Sequence, residues 1–264
     1  GMYGGPKEGT EQKATLVMYR GDAQAHAASQ PSAVPSAAPI PTAFEPVRSG
    51  ASLRFSNGNQ TVACGEGGDG WQTAICSRGR KSGKSEWEVT IRPEATAGAA
   101  APAPLEVAVG VASSGWEKRE GFVWFCGDPH RAACHLSATG KDSSVITLLA
   151  DDGFSSGNSH CVPGDAQSSS HLGAVASTYV ARATLDCDKR TFSVAVRSVS
   201  ASGEESAEKV VPVSSSLPES PQAGGGAGAL YPAIFVGPAF RGHISVKSVG
   251  APVSEGGITL SLDE

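Results

Sequence analysis

The 264 residues carry 21 Lys and Arg against 26 Asp and Glu, a formal charge of -5, so there is no global basic field to gather nucleic acid. Gly 33 and Pro 17 give the chain much loop-forming material, yet 39% hydrophobic residues with 4 Trp and 8 Phe can fill one core, which excludes wholly disordered and collagen-like classes. No apolar run approaches the ~18 residues needed to span a membrane, and residues 1–20 lack the apolar stretch of a secretory signal. Gly1 ahead of Met2 reads as a scar of tag removal. The 6 Cys are widely and irregularly spaced, which fits reduced thiols in a cytoplasmic, or alternatively nuclear, protein better than a disulfide scaffold. Asn59-Gln60-Thr61 is a glycosylation acceptor pattern that has meaning only in a secreted chain.

In chain order, 11–20 holds a contiguous apolar run, Leu16 to Tyr19, compatible with either a helix or a strand. Residues 23–46 follow, with Pro31, Pro35, Pro39, Pro41 and Pro46 among Ala and Ser, and read as an extended lead-in. The expected organisation is a disordered lead-in over 1–47 and a single folded domain over 48–264.

From Leu53 onward, alternation at period two dominates. Trp87, Val89 and Ile91 face one way and Glu86, Glu88, Thr90 and Arg92 the other, as in a half-buried strand. In 105–112 the second face is Ala108, Gly110 and Ala112, small enough for the strand to be covered on both sides. Phe192, Val194 and Val196 define another strand, Ile244 and Val246 another, and Ile258, Leu260 and Leu262 a last one. Further strands are expected over 144–150, 179–186 and 231–236. Gly, Pro, Ser and Asp separate these runs, and no amphipathic helix of three turns occurs, so the fold class is all-β, an antiparallel sandwich or barrel. The stretches 93–104 and 200–229 read as soft insertions at loop tips.

Several motifs imitate catalytic signatures. Gly65 to Gly70 fits G-x-G-x-x-G, but the helix that would hold a pyrophosphate is replaced by a strand pattern after Trp71. Gly83-Lys84-Ser85 resembles the end of a P-loop and likewise runs into a strand. Gly153-Phe154-Ser155-Ser156-Gly157 fits a nucleophile elbow whose required helix is interrupted by Pro163 and Gly164. Cys126, His130, Cys134 and His135, with His160, Cys161 and His171 downstream, offer zinc-ligand chemistry without a C-x-x-C pair. The reading is therefore no catalytic residue, no cofactor and no metal, with zinc at the Cys126 cluster as the minor alternative. Arg78, Arg80, Lys81 and Lys84 are the densest basic stretch, either a solvated turn or a loop that receives an acidic segment.

Five ordered pieces resemble the SPRY family with its N-terminal, PRY-like extension. They are Ser82-Gly83-Lys84-Ser85-Glu86-Trp87-Glu88-Val89, then Val107 to Ala112 with its Val-Gly-Val-Ala, Trp124, Thr184 to Ser193, and Leu230-Tyr231-Pro232-Ala233. Leu53 to Gly58 with Thr61-Val62 is similar to the start of the extension. Glu86 stands where the family usually has an aromatic, and the Asn-Gly hairpin expected after Val196 is replaced by the 200–229 insertion. The resemblance implies a bent antiparallel two-sheet sandwich of the jelly-roll kind, without catalysis, that binds a peptide segment of a partner protein as an adaptor or scaffold module. It implies binding through loops 77–84, 113–121 and 237–242 converging on one edge. On these loops Arg78, Arg80, Trp116, Arg119, Phe240 and Arg241 are the candidate partner-binding residues, because Arg and aromatic side chains dominate binding hot spots. The expected partner is a protein segment, extended and acidic or polar, with no nucleic acid and no membrane, bound by a monomer. A lectin-like sandwich with Asp151, Asp152 and Asn158 at a sugar site is the other reading.

Overall fold

The computed structural model describes residues 43–64, 69–94, 104–125, 127–139, 145–154, 169–172, 177–215, 217–218 and 228–249. They form one 3-10 turn, Pro46–Arg48, and thirteen strands: β1 Leu53–Ser56, β2 Thr61–Cys64, β3 Gln72–Ile75, β4 Lys84–Pro93, β5 Glu106–Ala112, β6 Arg131–Thr139, β7 Val145–Asp152, β8 Ser169–His171, β9 Thr178–Asp186, β10 Thr191–Val199, β11 Lys209–Ser214, β12 Tyr231–Val236 and β13 Gly242–Ser248. Every pairing is antiparallel, in a seven-stranded sheet ordered β1-β2-β13-β4-β9-β10-β11 and a six-stranded sheet ordered β3-β12-β5-β6-β7-β8. Of the sandwich and the barrel that the alternation leaves open, the fold is the two-sheet sandwich that the resemblance implies. Among the described residues no helix is long and apolar enough to cross a membrane.

The main core lies between the sheets, where the period of two sends Trp87, Val89 and Ile91 of β4 against Val107, Val109 and Val111 of β5 and Cys134 and Leu136 of β6. The opposite face of β4 carries Glu88, which Arg197 and Lys247 approach at 3.7 and 2.8 Å. That face is a solvated charge belt, as the sequence pattern requires. The six-stranded sheet differs, because a second cluster of Trp71, Ile75, Ala108, Ala112, Trp116, Phe122, Ala133 and Phe235 covers its outer face. Segment 113–125 supplies Trp116, Phe122 and Trp124 to that layer, so β5 is buried on both sides as expected. Small residues make room for the indoles. A Cβ on Gly110 would stand 2.6 Å from the Ala133 Cβ and closer still to the Ala132 carbonyl, so the two strands tolerate nothing larger there.

Three expectations are corrected. Phe44 is 1% exposed, packs in the main core with its ring 6.1 Å from Phe55, and donates its N–H to the Asn59 carbonyl at 2.8 Å, so the packed chain starts ahead of Arg48. Residues 131–139, absent from the strands expected above, form β6, whose Ala and Cys side chains alternate too quietly to register as a strand. The 200–229 insertion is not wholly soft: after a turn at Gly203 with φ 87 the chain forms β11, whose Val211 and Val213 fill the core. Pro212 within it suits an edge strand, where no ladder N–H is needed on the solvent side. The helix or strand expected at 11–20 and the strand expected at 258–262 lie outside the described residues.

Candidate functional site

The strand register decides which loops meet. β5 ends at Ala112 beside Tyr231, where β12 begins, and β12 ends at Val236 beside Val107. β3 runs antiparallel to β12 and places Ile75 beside Ala233. The chain following β3, the chain following β5 and residues 228–230 therefore share one end of the six-stranded sheet, and 237–241 lies at the other. The expected convergence of three loops is corrected to two, joined by the stretch around the Pro46–Arg48 turn.

At the shared end the side chains assemble around Tyr231, which is half-buried. Arg80 and Leu230 exchange two backbone hydrogen bonds of 2.8 Å each. A Cβ on Gly79 would stand 2.8 Å from the Ala229 Cβ and 3.0 Å from the Tyr231 ring, so at Gly79 the loop lies flat on 229–231. The Arg48 guanidinium lies 4.2 Å above the Tyr231 ring, in cation–π range. Arg119 donates from Nη1 to the Val47 carbonyl at 2.8 Å, and Val47 is 77% exposed. Arg48, Arg78 and Arg119 have no carboxylate partner among the described residues, whereas Lys84, Lys118, Arg182, Arg197 and Lys247 each sit on one.

The free edge of β3 beside this cluster is closed. Thr73 donates to the Arg119 carbonyl at 2.7 Å, Gly50 to Thr73 at 3.0 Å, Glu45 to Ile75 at 2.7 Å and Ser77 to Ala43 at 2.9 Å. Ser49 Oγ accepts the Ile75 N–H at 3.1 Å while donating to the Glu45 carbonyl at 2.8 Å. With the edge ladder satisfied, this edge of β3 is closed to strand addition.

Two of the aromatic candidates belong to the core. Trp116 is 6% exposed, meets Phe122 and Phe235 edge-on at 5.4 and 5.3 Å, and donates its indole N–H to Thr73 Oγ1 at 3.1 Å. Phe240 is 0% exposed and lies in the main core at the far end. Arg241 turns back on its own loop, donating to the Pro238 and Phe240 carbonyls at 2.7 and 2.8 Å. An aromatic on a turn carries the same sequence signal whether it anchors a partner or a loop. Arg48 and Tyr231, which the sequence reading did not select, take their places; Tyr231 stood inside the Leu-Tyr-Pro-Ala match and could have been found there.

Segments 113–125 and 127–130 are fixed by a charge network that sequence reasoning also missed. Arg131 and Asp151 pair at 3.1 Å, both 1% exposed, and Arg131 stacks 3.6 Å from the Trp124 ring. Arg131 also donates to the Phe125 carbonyl, and Asp151 accepts the Gly127 N–H at 2.8 Å. Burial alone would raise the Asp128 carboxyl, but hydrogen bonds from Lys118 and the His130 N–H hold it below the ordinary carboxylate value. His135, against Trp71 and Trp124, is pushed down to about 4 by burial, with the nearby Arg131 charge adding to the effect.

The alternative chemistries meet this geometry poorly. Cys134 and His135 are successive on β6 and point to opposite faces, one into each core cluster, so they cannot share a metal. His130 instead sits 3.2 Å from Ser113 Oγ, and no group of three metal-ligating side chains occurs among the described residues. Burial raises the Cys64, Cys76 and Cys134 thiols to about 12, far from thiolate reactivity. Strands rather than helices follow both glycine-rich motifs, at β3 and β4. Asp151 is committed to Arg131 and unavailable to a sugar. Cys126, Ser155, Asn158, His160, Cys161 and Gly65 to Gly68 lie outside the described residues, as does the side chain of His171.

No family model and no curated protein matches the chain. Solved structures similar to it include the SPRY domain of human HERC1, at 15% identity and TM-score 0.46 over 78% of this chain and 98% of that one. The TRIM65 PSpry domain is similar at 14% identity and TM-score 0.43, over 80% of this chain and 91% of that one. Peanut lectin with a 9mer peptide is similar at 8% identity and TM-score 0.45, over 75% of this chain and 90% of that one.

Proposed function

We propose that the chain is a non-enzymatic protein-interaction module, a monomer of a reducing compartment such as the cytoplasm, whose arginine-bearing end receives an extended, acidic segment of a partner protein. The observation that carries this reading is that Arg48 stacks on half-buried Tyr231, Arg119 bonds the carbonyl of exposed Val47, and exposed Arg78 precedes Gly79, which lies on the same tyrosine; none of the three has a carboxylate partner among the described residues, in a chain of net charge -5. Guanidinium groups supply directed, bidentate hydrogen bonds to carboxylates, and the tyrosine and valine supply apolar area beside them. Because the β3 edge is already paired, the segment is read by its side chains.

The test is a selection of twelve-residue peptides displayed in random sequence against the full chain, followed by affinity measurements with Arg78→Glu and Arg119→Glu. Enrichment of acidic peptides, and weakening of their affinity together with its salt dependence in both variants, is the expected result. Melting temperatures should move by only a few degrees, since exposed substitutions usually stay within ~0.5 kcal/mol. Selected peptides that ignore both substitutions would place the binding face elsewhere.

A further inference from the structure

The loop between β3 and β4 that carries Arg78 and Arg80 also carries two serines, with a third just inside β4, and the structure treats the three differently. Ser85 is 6% exposed, on β4. Ser77 is exposed, but its N–H is tied to the Ala43 carbonyl at 2.9 Å, and it precedes the basic residues. Ser82 is exposed, stands outside any strand, and has no side-chain hydrogen bond among the described residues. On its N-terminal side it follows Arg78, Arg80 and Lys81, and on its C-terminal side it precedes Lys84, with no acidic residue anywhere in 77–84. The stem of the loop is held on one side by the Arg80–Leu230 bonds and on the other by Gly83, whose N–H reaches Asp188 Oδ1 at 2.9 Å and whose carbonyl accepts the Cys187 N–H at 3.0 Å. Lys81 and Ser82 form the tip.

We propose that Ser82 is a phosphoryl acceptor for a serine kinase whose substrate cleft is acidic, and that its modification switches off the arginine-bearing site. This rests on the reading of that site given above. The chemistry needs a nucleoside triphosphate and such a kinase. The Ser82 hydroxyl oxygen forms a bond to the γ-phosphorus, the bond from that phosphorus to the bridging oxygen breaks, the nucleoside diphosphate leaves, and the hydroxyl proton passes to the kinase's base. Arginine and lysine just ahead of an exposed hydroxyl complement an acidic cleft, and an exposed tip presents them without unfolding a strand. The added group carries roughly -1.5 to -2 charge and three acceptor oxygens. It draws Arg78, Lys81 and Arg80 toward itself and repels Asp188, which holds the tip at Gly83. Guanidinium groups engaged by an internal phosphate are lost to an acidic partner.

The full chain is incubated with ATP and the catalytic subunit of an arginine-directed serine kinase, the site is mapped by peptide mass, and binding of a fluorescein-labelled hexaglutamate peptide is measured before and after. Transfer to Ser82 in the folded chain, absent in Ser82→Ala, with about tenfold weaker hexaglutamate binding after transfer and unchanged binding by unmodified Ser82→Ala, is the expected result. No transfer, transfer to Ser77 or Ser85 in its place, or unaltered affinity after transfer would overturn the inference. Binding by the unmodified chain is measured first: its absence overturns the acidic-partner reading and the switch with it, whereas its presence with no response to phosphate overturns the switch alone.

Discussion

His135 shows how one side chain can report on a whole layer. Its ring is enclosed by Trp71 at 5.1 Å and Trp124 at 5.4 Å, and its value near 4 lies below the 6.5 of an unconstrained histidine. Between those values the unfolded chain binds a proton that the folded chain refuses, so stability falls as pH drops from about 6.5 to about 4 and levels off below. Roughly 3 kcal/mol is at stake. The lowered Asp128 acts in the same direction but only at more acid pH, so the slope above pH 4 belongs to histidine. Urea titrations at pH 7 and pH 5 should show the loss, and His135→Gln should flatten it; an equal slope in the variant would assign it to another group. Phe240→Ala belongs to the same scale. Its ring is fully buried, so truncation should cost about 3–5 kcal/mol in denaturant unfolding.

At the scale of elements, the legible parts were those whose two faces differ strongly in hydrophobicity. Trp87, Val89 and Ile91 against Glu86, Glu88 and Thr90 gave β4 outright, and the small second face of β5 correctly implied a cover. β6 was hidden because its inner face is Ala132, Cys134 and Leu136 and its outer face includes Ala133 between Arg131 and His135, so neither reads as apolar or polar. The cover itself, 113–130, has no period of its own, because Trp116, Phe122 and Trp124 are placed by the sheet beneath them and by the Arg131–Asp151 pair. Removing one partner from a buried pair leaves an uncompensated charge, so Asp151→Asn should cost about 3–5 kcal/mol and alter the tryptophan emission of the layer. Arg131→Met combined with Asp151→Leu should recover much of that loss, since well-packed apolar pairs replace buried ions at little cost. A single variant as stable as the parent chain would show that 113–130 is held by its tryptophans alone.

For the whole molecule, the arginine-bearing end and the order of strands share one cause: neighbours in space are far apart in sequence. β13 is inserted between β2 and β4, and β12 between β3 and β5, so late residues complete sheets begun by early ones. The same arrangement brings 45–48, 77–83, 113–115 and 228–231 together at one end, which no local pattern announces. The Leu-Tyr-Pro-Ala motif located β12, but only register showed that Tyr231 faces Arg48 while Phe240 leaves toward the opposite end. A sandwich closed by such non-local pairs should refold in milliseconds to seconds rather than microseconds. It should also depend on its last described strand. Without 238–264 the seven-stranded sheet loses the ladder that joins β2 to β4, and with it Phe240, Ile244 and Val246, at most 3% exposed. A chain ended at Gly237 should therefore show no cooperative thermal transition. Because β13 enters as one strand that needs no new turn, a synthetic peptide spanning 238–264 added to that chain should restore the transition, with a midpoint that rises with peptide concentration as binding linkage requires. A cooperative transition in the shortened chain alone would mean that β2 and β4 can close on each other, and that β13 is an addition to the core rather than its completion.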